Sequence, residues 1–566
     1  MLEVLARSQR GRICEFSSVD GTTGNTYVLR TPYVLRTAED DISDRTGAYV
    51  SVDGNGRTLV IGGRSVPLDQ GLRAPVSSDV RAGPVTENGV CVLRLPLNGD
   101  ETIPEETEIA VISNAFELRK DARRMVDCIM QVRTLIGNNV LLYAPGLADP
   151  SNLALLAYMG VDLFDDSFPV SAGRFGMLCI PEGRIVTKDD ISQRNIDEMT
   201  TECWKARTFI GSGRLRELVD QRISSPELVA ALRIFDRVGY GYQEEMCGTV
   251  GGRFSCNTTQ SLQRPEVKRF RDMITERYEP PGHKRILVLL PCSAKKPYHI
   301  SKTHRAFESA IHAGEHDVLV HEVIVTSPLG IVPRELDVFF PASSYDIPVT
   351  GEWKCQEREM IRSMLSKLLE FGYDSVISHL GDTTELIREL TDLTETCVGD
   401  PTSPVSLRNL ENAVREAANG MERCGYHTDR CENMHSVLRF QFGKGTADAL
   451  MEDAEVIGKF PYWKLYSNKR QLGMLTPERG MVSLTAEGAE ILLRTGRNIV
   501  EMLDFEIKGN LFAVGVSKAD HGIRTGDEVV VTMDGTVKAV GVAMMSGAEM
   551  EDLRRGIAVK VRHKAK

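Results

Sequence analysis

The sequence predicts a multidomain α/β protein that ends in a small β-rich module. Three observations carry that expectation. Strand-like aliphatic runs alternate with helical stretches from Ile109 to Phe164, the pattern of parallel βα units. A second alternation opens at Arg285, where Ile286-Leu287-Val288-Leu289-Leu290 reads as a strand buried on both faces. From about residue 498 short aliphatic runs are separated by glycine turns. A chain of 566 residues, 42% apolar and 26% charged, has the size for several such domains and a globular composition.

In order along the chain, residues 1 to about 110 are rich in Gly, Thr and Val, with turn signals such as Asp53-Gly54-Asn55-Gly56, and read as short strands and loops. Ile109-Ala110-Val111-Ile112 is a strand, a helix follows near Lys120 to Ile136, and Val140 to Gly146 is the next strand. Asn152 to Met159 is helical, and Val161 to Asp165 is a further strand end. Residues 205 to 245 and Arg264 to Tyr278 read as helices. Glu279-Pro280-Pro281-Gly282-His283 reads as a linker, which sets a domain boundary near 280. The expected domains are residues 1–279, 280–420, 421–497 and 498–566.

Tyr143-Ala144-Pro145-Gly146, then Gly160-Val161-Asp162-Leu163-Phe164-Asp165-Asp166-Ser167, resembles the late strands of the tRNA-guanine transglycosylase barrel. Gly213 to Val219 resembles a segment of the archaeal members. Asp165 then stands where that family has its aspartate nucleophile. The chain departs from the family in three ways. The motif carrying the second aspartate is absent, and only Cys179 and Cys203 stand where a zinc cluster would. The interval from Ile112 to Val140 is also too short for the missing barrel units. The resemblance implies a truncated (β/α) barrel that has lost base exchange. Asp165 is then a relic, a strand-end carboxylate, or a contact to a deazaguanine.

The segment from Arg285 to Ile311 is where the chemistry is expected. Pro291-Cys292-Ser293-Ala294-Lys295-Lys296-Pro297-Tyr298 follows the aliphatic strand, and its two prolines forbid regular structure. Ser301 is a good helix N-cap, and His304, Phe307, Glu308 and Ile311 fall on one face of the next helix. Ligand sites of α/β sheets lie at the carboxyl ends of strands. The expected strands of this central domain are Arg285–Leu290, Val318–Val325 and Asp374–Ser378, and the helices Ser301–His312, Gln356–Phe371 and Leu407–Asn419. A long irregular stretch between them holds Arg334, Tyr345, Asp346 and Val349-Thr350-Gly351, and such loops are more often functional than ornamental. Arg334, Tyr345 and Asp346 join Asp165 as candidate substrate contacts.

Residues 421–497 read as a small linking domain. Cys424, His427, Cys431 and His435 invite a metal reading, but on one helix they span about 16 Å at about 1.5 Å per residue, too far for one tetrahedral ion. No metal and no cofactor is expected. In the last domain, the strand order with Met545-Ser546-Gly547 and the Gly556-Ile557-Ala558-Val559-Lys560-Val561 ending resembles a PUA domain, a small RNA-binding barrel. Arg554, Arg555, Lys560, Arg562 and Lys564 give this end a local positive charge on a chain of net charge −11, an RNA footprint. No run of eighteen apolar residues occurs, the N-terminus lacks signal-peptide regions, and the twelve cysteines follow no framework spacing, so a reduced cytoplasmic protein is expected.

The full pattern Pro291-Cys292-x-x-x-Lys296-Pro297-Tyr298-x-x-Ser301-x-x-His304 resembles the signature of the archaeosine synthase family. That family acts on tRNA carrying 7-cyano-7-deazaguanine at position 15 and adds an amine nitrogen to its nitrile. The resemblance implies free lysine or glutamine as donor, leaves a radical-SAM partner protein and a homodimer as assemblies to test, and makes Cys292, Lys296, Tyr298, Ser301 and His304 the catalytic candidates. The residue types suit the chemistry. A thiolate is a good nucleophile for a nitrile carbon, Lys296 or His304 could supply the cation or base it needs, and His304 or Tyr298 could protonate the nitrile nitrogen. Ser301 could orient the imidazole or the base. The plainer readings are a small buried residue for Cys292, an N-cap for Ser301 and a phosphate contact for Lys296. Direct attack by the donor amine, base exchange, and a non-catalytic tRNA-binding subunit are the alternatives.

Overall fold

The computed structural model describes residues 1–19, 23–38, 47–53, 56–68, 84–97, 99–348 and 352–565. The chain divides into two compact units. The first holds Met1–Cys247 with Leu511–Val516 and Met545–Ala558, and the second holds Gly248–Asn510 with Ser517–Met544 and Val559–Lys566. The unit boundary falls after Cys247, and the 279–283 segment lies inside the second unit. Gly54 and Asn55 of the sequence-level turn lie outside the described residues, as do Val349, Thr350 and Gly351.

In the first unit, five parallel strands lie in the middle of a nine-stranded sheet, and Ala48–Asp53 continues the parallel set on one side. In spatial order the five are β1 (Tyr33–Ala38), β5 (Leu163–Asp165), β4 (Leu141–Tyr143), β3 (Ile109–Ile112) and β2 (Val90–Leu93). Two helices make the crossovers, α1 (Ala122–Ile136) and α2 (Leu153–Met159). Asp121 caps α1 by accepting from the Arg124 amide, and α2 is buried on every side, as its Leu-Ala-Leu-Leu-Ala-Tyr-Met sequence requires. A third helix, α3 (Pro226–Val238), follows downstream, started by the Ser225 side chain and by Pro226 at its first turn.

One buried carboxylate holds this unit together. Asp162, just before β5, accepts from Arg12 Nε at 2.8 Å and Nη2 at 2.8 Å, from Arg133 Nη1 at 2.9 Å and from the Leu142 amide at 2.9 Å. Burial works against its charge, and the two guanidinium groups outweigh that, so its pKa lies below the ordinary carboxylate value.

The second unit is built on a five-stranded sheet. Its central strand is β6 (Ile286–Pro291), flanked in parallel by β7 (Val320–Thr326) and β10 (Ser375–Ser378). The edges are β8 (Gly330–Pro333), antiparallel to β7, and β11 (Thr394–Glu395). Ile286 to Leu290 are all fully buried, as an aliphatic run covered on both faces must be. Ile286, Val288 and Leu290 pack toward Phe307, Ile311, Leu410 and Val414, whereas Leu287 and Leu289 face Phe270, Ile361 and Leu365. The helices are α4 (Lys302–Ala313), α5 (Cys355–Leu369) and α6 (Pro404–Ala417). The stretch expected to be irregular contains two strands, β8 and β9 (Tyr345–Asp346). The chain reverses from β7 into β8 at Gly330, whose φ of 82° lies in the left-handed region that a side chain disfavours. The strand β9 pairs in parallel with Phe254–Ser255.

Further along, a four-stranded antiparallel sheet (Ala454–Leu484) sits between helices Tyr426–Phe442 and Ala486–Thr495. Ile499–Met502, Glu528–Met533 and Thr536–Ala543 then pair in turn, joined by residues from Val559 onward. Ile523 to Asp527, just before the Glu528–Met533 strand, is a turn in which the Asp527 carboxylate accepts from the Arg524 amide at 2.8 Å. No helix among the described residues is long and apolar enough to cross a membrane.

Replacing Asp162 with Asn leaves two buried guanidinium groups without their counter-charge. The expected loss is about 3–5 kcal/mol, read as a lower urea midpoint for the first unit. An unchanged midpoint would show that the two arginines are satisfied by carbonyls alone.

Candidate active site

Pro291 ends β6 and Cys292 begins the loop at the carboxyl end of the central strand. Both line a cavity of about 340 Å³, a volume suited to a small ligand. Cys256, Ser327, Trp353, Glu352 and Glu357 also line it. Glu357 is held at the start of α5, accepting from the Ser327 hydroxyl and, at 2.8 Å, from the Lys354 amide.

Lys296 bends back over the Tyr345 ring, with Nζ 4.1 Å from its centroid and 5.8 Å from that of Tyr298. Burial lowers the pKa of its ammonium group, against the pull of the nearby Cys292 and Asp346. That makes Lys296 a readier proton donor than a solvated lysine. Tyr298 is fully buried, and its hydroxyl meets those of Tyr345 and Thr326. Burial and the neighbouring Cys292 push the Tyr298 phenol well above its usual pKa, so it stays protonated.

The loop is pinned from below by Arg334. Its guanidinium donates to Glu322 Oε2 at 2.7 Å and 3.0 Å, to Asp337 Oδ2 at 3.4 Å and to His304 Nδ1 at 2.8 Å. The His304 ring therefore accepts at Nδ1 and carries its proton on Nε2, which is turned toward the Pro291 carbonyl without a full hydrogen bond. Burial, helped by Arg334, lowers the His304 pKa to about 2, so the imidazole is neutral. Asp337 accepts from the His299 amide at 2.7 Å and ring at 2.9 Å. Ser301 caps α4 by accepting from the His304 amide at 3.1 Å.

The structure thus gathers Cys292, Lys296, Tyr298 and Tyr345 around one end of the strand, and places Ser301, His304 and Arg334 in the framework beneath. Asp346 lies beside them, paired through its carboxylate with Arg253 at 2.6 Å. Asp165 is elsewhere, in the first unit. It accepts from Tyr143 Oη at 2.7 Å, from the Gly146 amide at 2.9 Å, from the Ser167 amide at 3.0 Å and from the Ser167 hydroxyl. Four donors use up its lone pairs, a strand-end carboxylate that ties two loops together.

Residues 267–414 match a domain of unknown function (DUF5591), residues 101–222 match queuine tRNA-ribosyltransferase, and residues 501–565 match the PUA domain. The chain is 35% identical to the archaeosine synthase subunit alpha of Methanosarcina acetivorans, covering 81% of this chain and 80% of that one. It is 31% identical to the archaeosine synthase subunit alpha of Thermoplasma acidophilum, covering 82% and 90%. With the archaeosine synthase of Haloferax volcanii it shares 31% identity over 80% and 82%. The chain belongs to the archaeosine synthase family. It is a multidomain α/β enzyme of tRNA modification, with a transglycosylase-like domain and a C-terminal PUA domain, and tRNA is its substrate.

Within this archaeosine synthase family member, the cavity and the Cys292 loop lie in the segment matched to the domain of unknown function. Of the basic residues expected to meet RNA, Arg554, Arg555, Lys560 and Lys564 are exposed. Arg562 is turned inward, donating to the buried Glu528 and to the Leu484 carbonyl at 2.6 Å. The sequence reading missed Glu322, Asp337, Thr326 and Cys256. Glu322 was detectable in principle, since His321-Glu322 interrupts an otherwise aliphatic strand and a buried charge there needs a partner.

The His304 shift sets a sign for pH dependence. The folded chain binds a proton at this ring only near pH 2, the unfolded chain near the ordinary histidine value of about 6.5. Stability from the neutral ring is therefore complete above about pH 6.5 and falls on acidification. At pH 5 the loss is about 2 kcal/mol. His304→Gln should narrow the difference in unfolding free energy between pH 7.5 and pH 5 by about that amount. Equal acid sensitivity in both proteins would place the proton elsewhere.

Proposed function

We propose that Cys292 is the nucleophile of amidine formation on 7-cyano-7-deazaguanine at position 15 of tRNA. The observation that supports this is the thiol's place at the carboxyl end of the central strand, lining the cavity, on the same loop as the Lys296 ammonium group. In the first step the sulfur bonds to the nitrile carbon, one π bond of the nitrile breaks, and the nitrile nitrogen takes up a proton, giving a thioimidate. In the second, an amine nitrogen bonds to the same carbon, the carbon–sulfur bond breaks, and the thiol leaves with a proton. Lys296, its pKa lowered by burial, is the proton donor to the nitrile nitrogen and later the acceptor from the amine. The protonated Tyr298, held by Tyr345 and Thr326, donates a hydrogen bond to the developing thioimidate nitrogen. His304 and Ser301 position the loop and stay out of the proton transfers.

The amine donor is free lysine or glutamine. The carboxylates of Glu352 and Glu357 in the cavity support a donor that carries an ammonium group. Two of the relatives are named as alpha subunits, which supports a second subunit, and a radical-SAM protein acting after this one is the partner proposed.

Purified protein incubated with nitrile-bearing tRNA and labelled lysine or glutamine should yield a heavier nucleoside. Cys292→Ala should lower the single-turnover rate by at least about a thousandfold, about 4 kcal/mol, with tRNA affinity changed less than about twofold. A wild-type rate in the variant would leave direct attack by the amine as the route. The exposed C-terminal cations support phosphate contacts by the PUA segment. Deleting the segment would also strip Glu549 from Arg7 and Asp552 from Asn138, so point variants are the cleaner test. Arg554→Gln with Lys560→Gln should flatten the salt dependence of tRNA binding, by up to about 0.9 in log–log slope for each phosphate lost. An unchanged slope would move the RNA contacts away from this end.

A further inference from the structure

In the first unit two hollows meet at Ser224 and Ser225, at the start of α3. One, of about 540 Å³, has Arg119, Lys120 and Arg184 on its walls. The other, of about 730 Å³, runs along the face of α3 that carries Arg233 and Arg237. The shared serines make them one continuous groove.

Its charge is unlike that of the chain. Five cations line the groove, against Glu227 on its rim and the buried Asp149 that joins two of them. Arg119 and Arg184 both reach Asp149 at 2.7 Å, so this trio keeps one positive charge. Lys120, Arg233 and Arg237 are exposed, and none has a carboxylate partner among the described residues. On a chain of net charge −11 this is a local excess of positive charge. Arg233 and Arg237 stand four residues apart on one helix face, about 6 Å along its axis. That spacing lets successive phosphates of one strand each meet a guanidinium group. Between the cations the floor is aliphatic, Val229, Ala230 and Ile234, a surface that suits ribose rather than a second charge. The positive end of the helix, with Ser225 as its cap, points into the same place.

We propose that this groove binds the sugar–phosphate backbone of the tRNA substrate, as a second RNA contact independent of the PUA segment. Such contacts set the position of the RNA and carry no sequence information. The site acts before any chemistry, so the proposal does not depend on Cys292 being the nucleophile.

The experiment is a filter-binding titration of tRNA on the full chain at several salt concentrations. Arg233→Gln with Arg237→Gln should weaken binding about tenfold at low salt and reduce the log–log salt slope by about 1.5, two phosphates at about 0.7–0.9 each. Lys367→Gln with Arg494→Gln removes the same charge from exposed positions of the second unit and serves as control. It should leave the slope unchanged. Both pairs are exposed, and matching thermal unfolding curves confirm intact folds. Wild-type affinity and slope in the Arg233/Arg237 variant would overturn the proposal, as would an equal loss in the control, which would mean bulk charge alone. Unchanged RNA binding together with loss of a co-purified acidic protein would assign the groove to a protein and overturn it too.

Discussion

The Arg334 guanidinium is the interaction on which the Cys292 loop depends. It joins its own segment after β8, where Asp337 is three residues on, to Glu322 on β7 and His304 on α4. Burial opposes its charge, and Glu322 and Asp337 outweigh that, raising its pKa. A buried cation with two carboxylates and a neutral imidazole has few alternative arrangements, because each exchange leaves a desolvated group unpaired. Asp337 extends the hold to His299 in the loop itself. The loop is thereby fixed at its far end, while its near end continues the central strand.

A second polar network lies behind the first. The Tyr373 hydroxyl donates to His321 Nδ1 at 2.7 Å, His321 Nε2 lies 2.9 Å from the Tyr278 hydroxyl, and Tyr278 donates to Glu335. With Tyr278 donating to Glu335, the ring donates from Nε2 to the Tyr278 oxygen, and a neutral ring then accepts from Tyr373 at Nδ1. Burial agrees, lowering its pKa to about 3. His321 and Glu322 are neighbours on β7, and Arg334 and Glu335 are neighbours after β8. The same two backbone segments therefore carry both networks, one toward the loop and one away from it, and a shift in either would be felt by the other.

These supports explain a division of labour among the polar groups of the motif. Lys296 and Tyr298 sit on the irregular part of the loop, beside the thiol, with pKa values moved by burial in directions that favour proton donation and a persistent phenol. Ser301 and His304 sit on the cap and first turn of a helix, where their hydrogen bonds are used internally. The loop segment carries Cys292, which lines the cavity, with Lys296 behind it over the Tyr345 ring, and the helix carries the groups that hold the loop in place.

The sequence by itself determined the strand Ile286–Pro291, because an unbroken aliphatic run can only be satisfied with both faces covered. It determined the helix after Ser301, because a cap and a 3.6-residue apolar period are local signals. It also marked Cys292 at the strand end and the multidomain α/β class, together with the family. Only the tertiary structure decided what the polar residues do. Arg334 reads in the sequence as a free cation in a long loop, yet its partners lie 12 and 30 residues away. Arg562 reads as part of a basic tail, yet it reaches Glu528, 34 residues away, across the sheet. His304 reads as a base on an apolar helix face, and only burial beside a guanidinium makes it neutral. The groove of the first unit was equally invisible, since Arg119, Arg184 and Arg233 come from three separate segments. Periodicity and capping act within a few residues and can be read along the chain. Charge pairing and desolvation depend on neighbours brought in by the fold, and no local pattern encodes them.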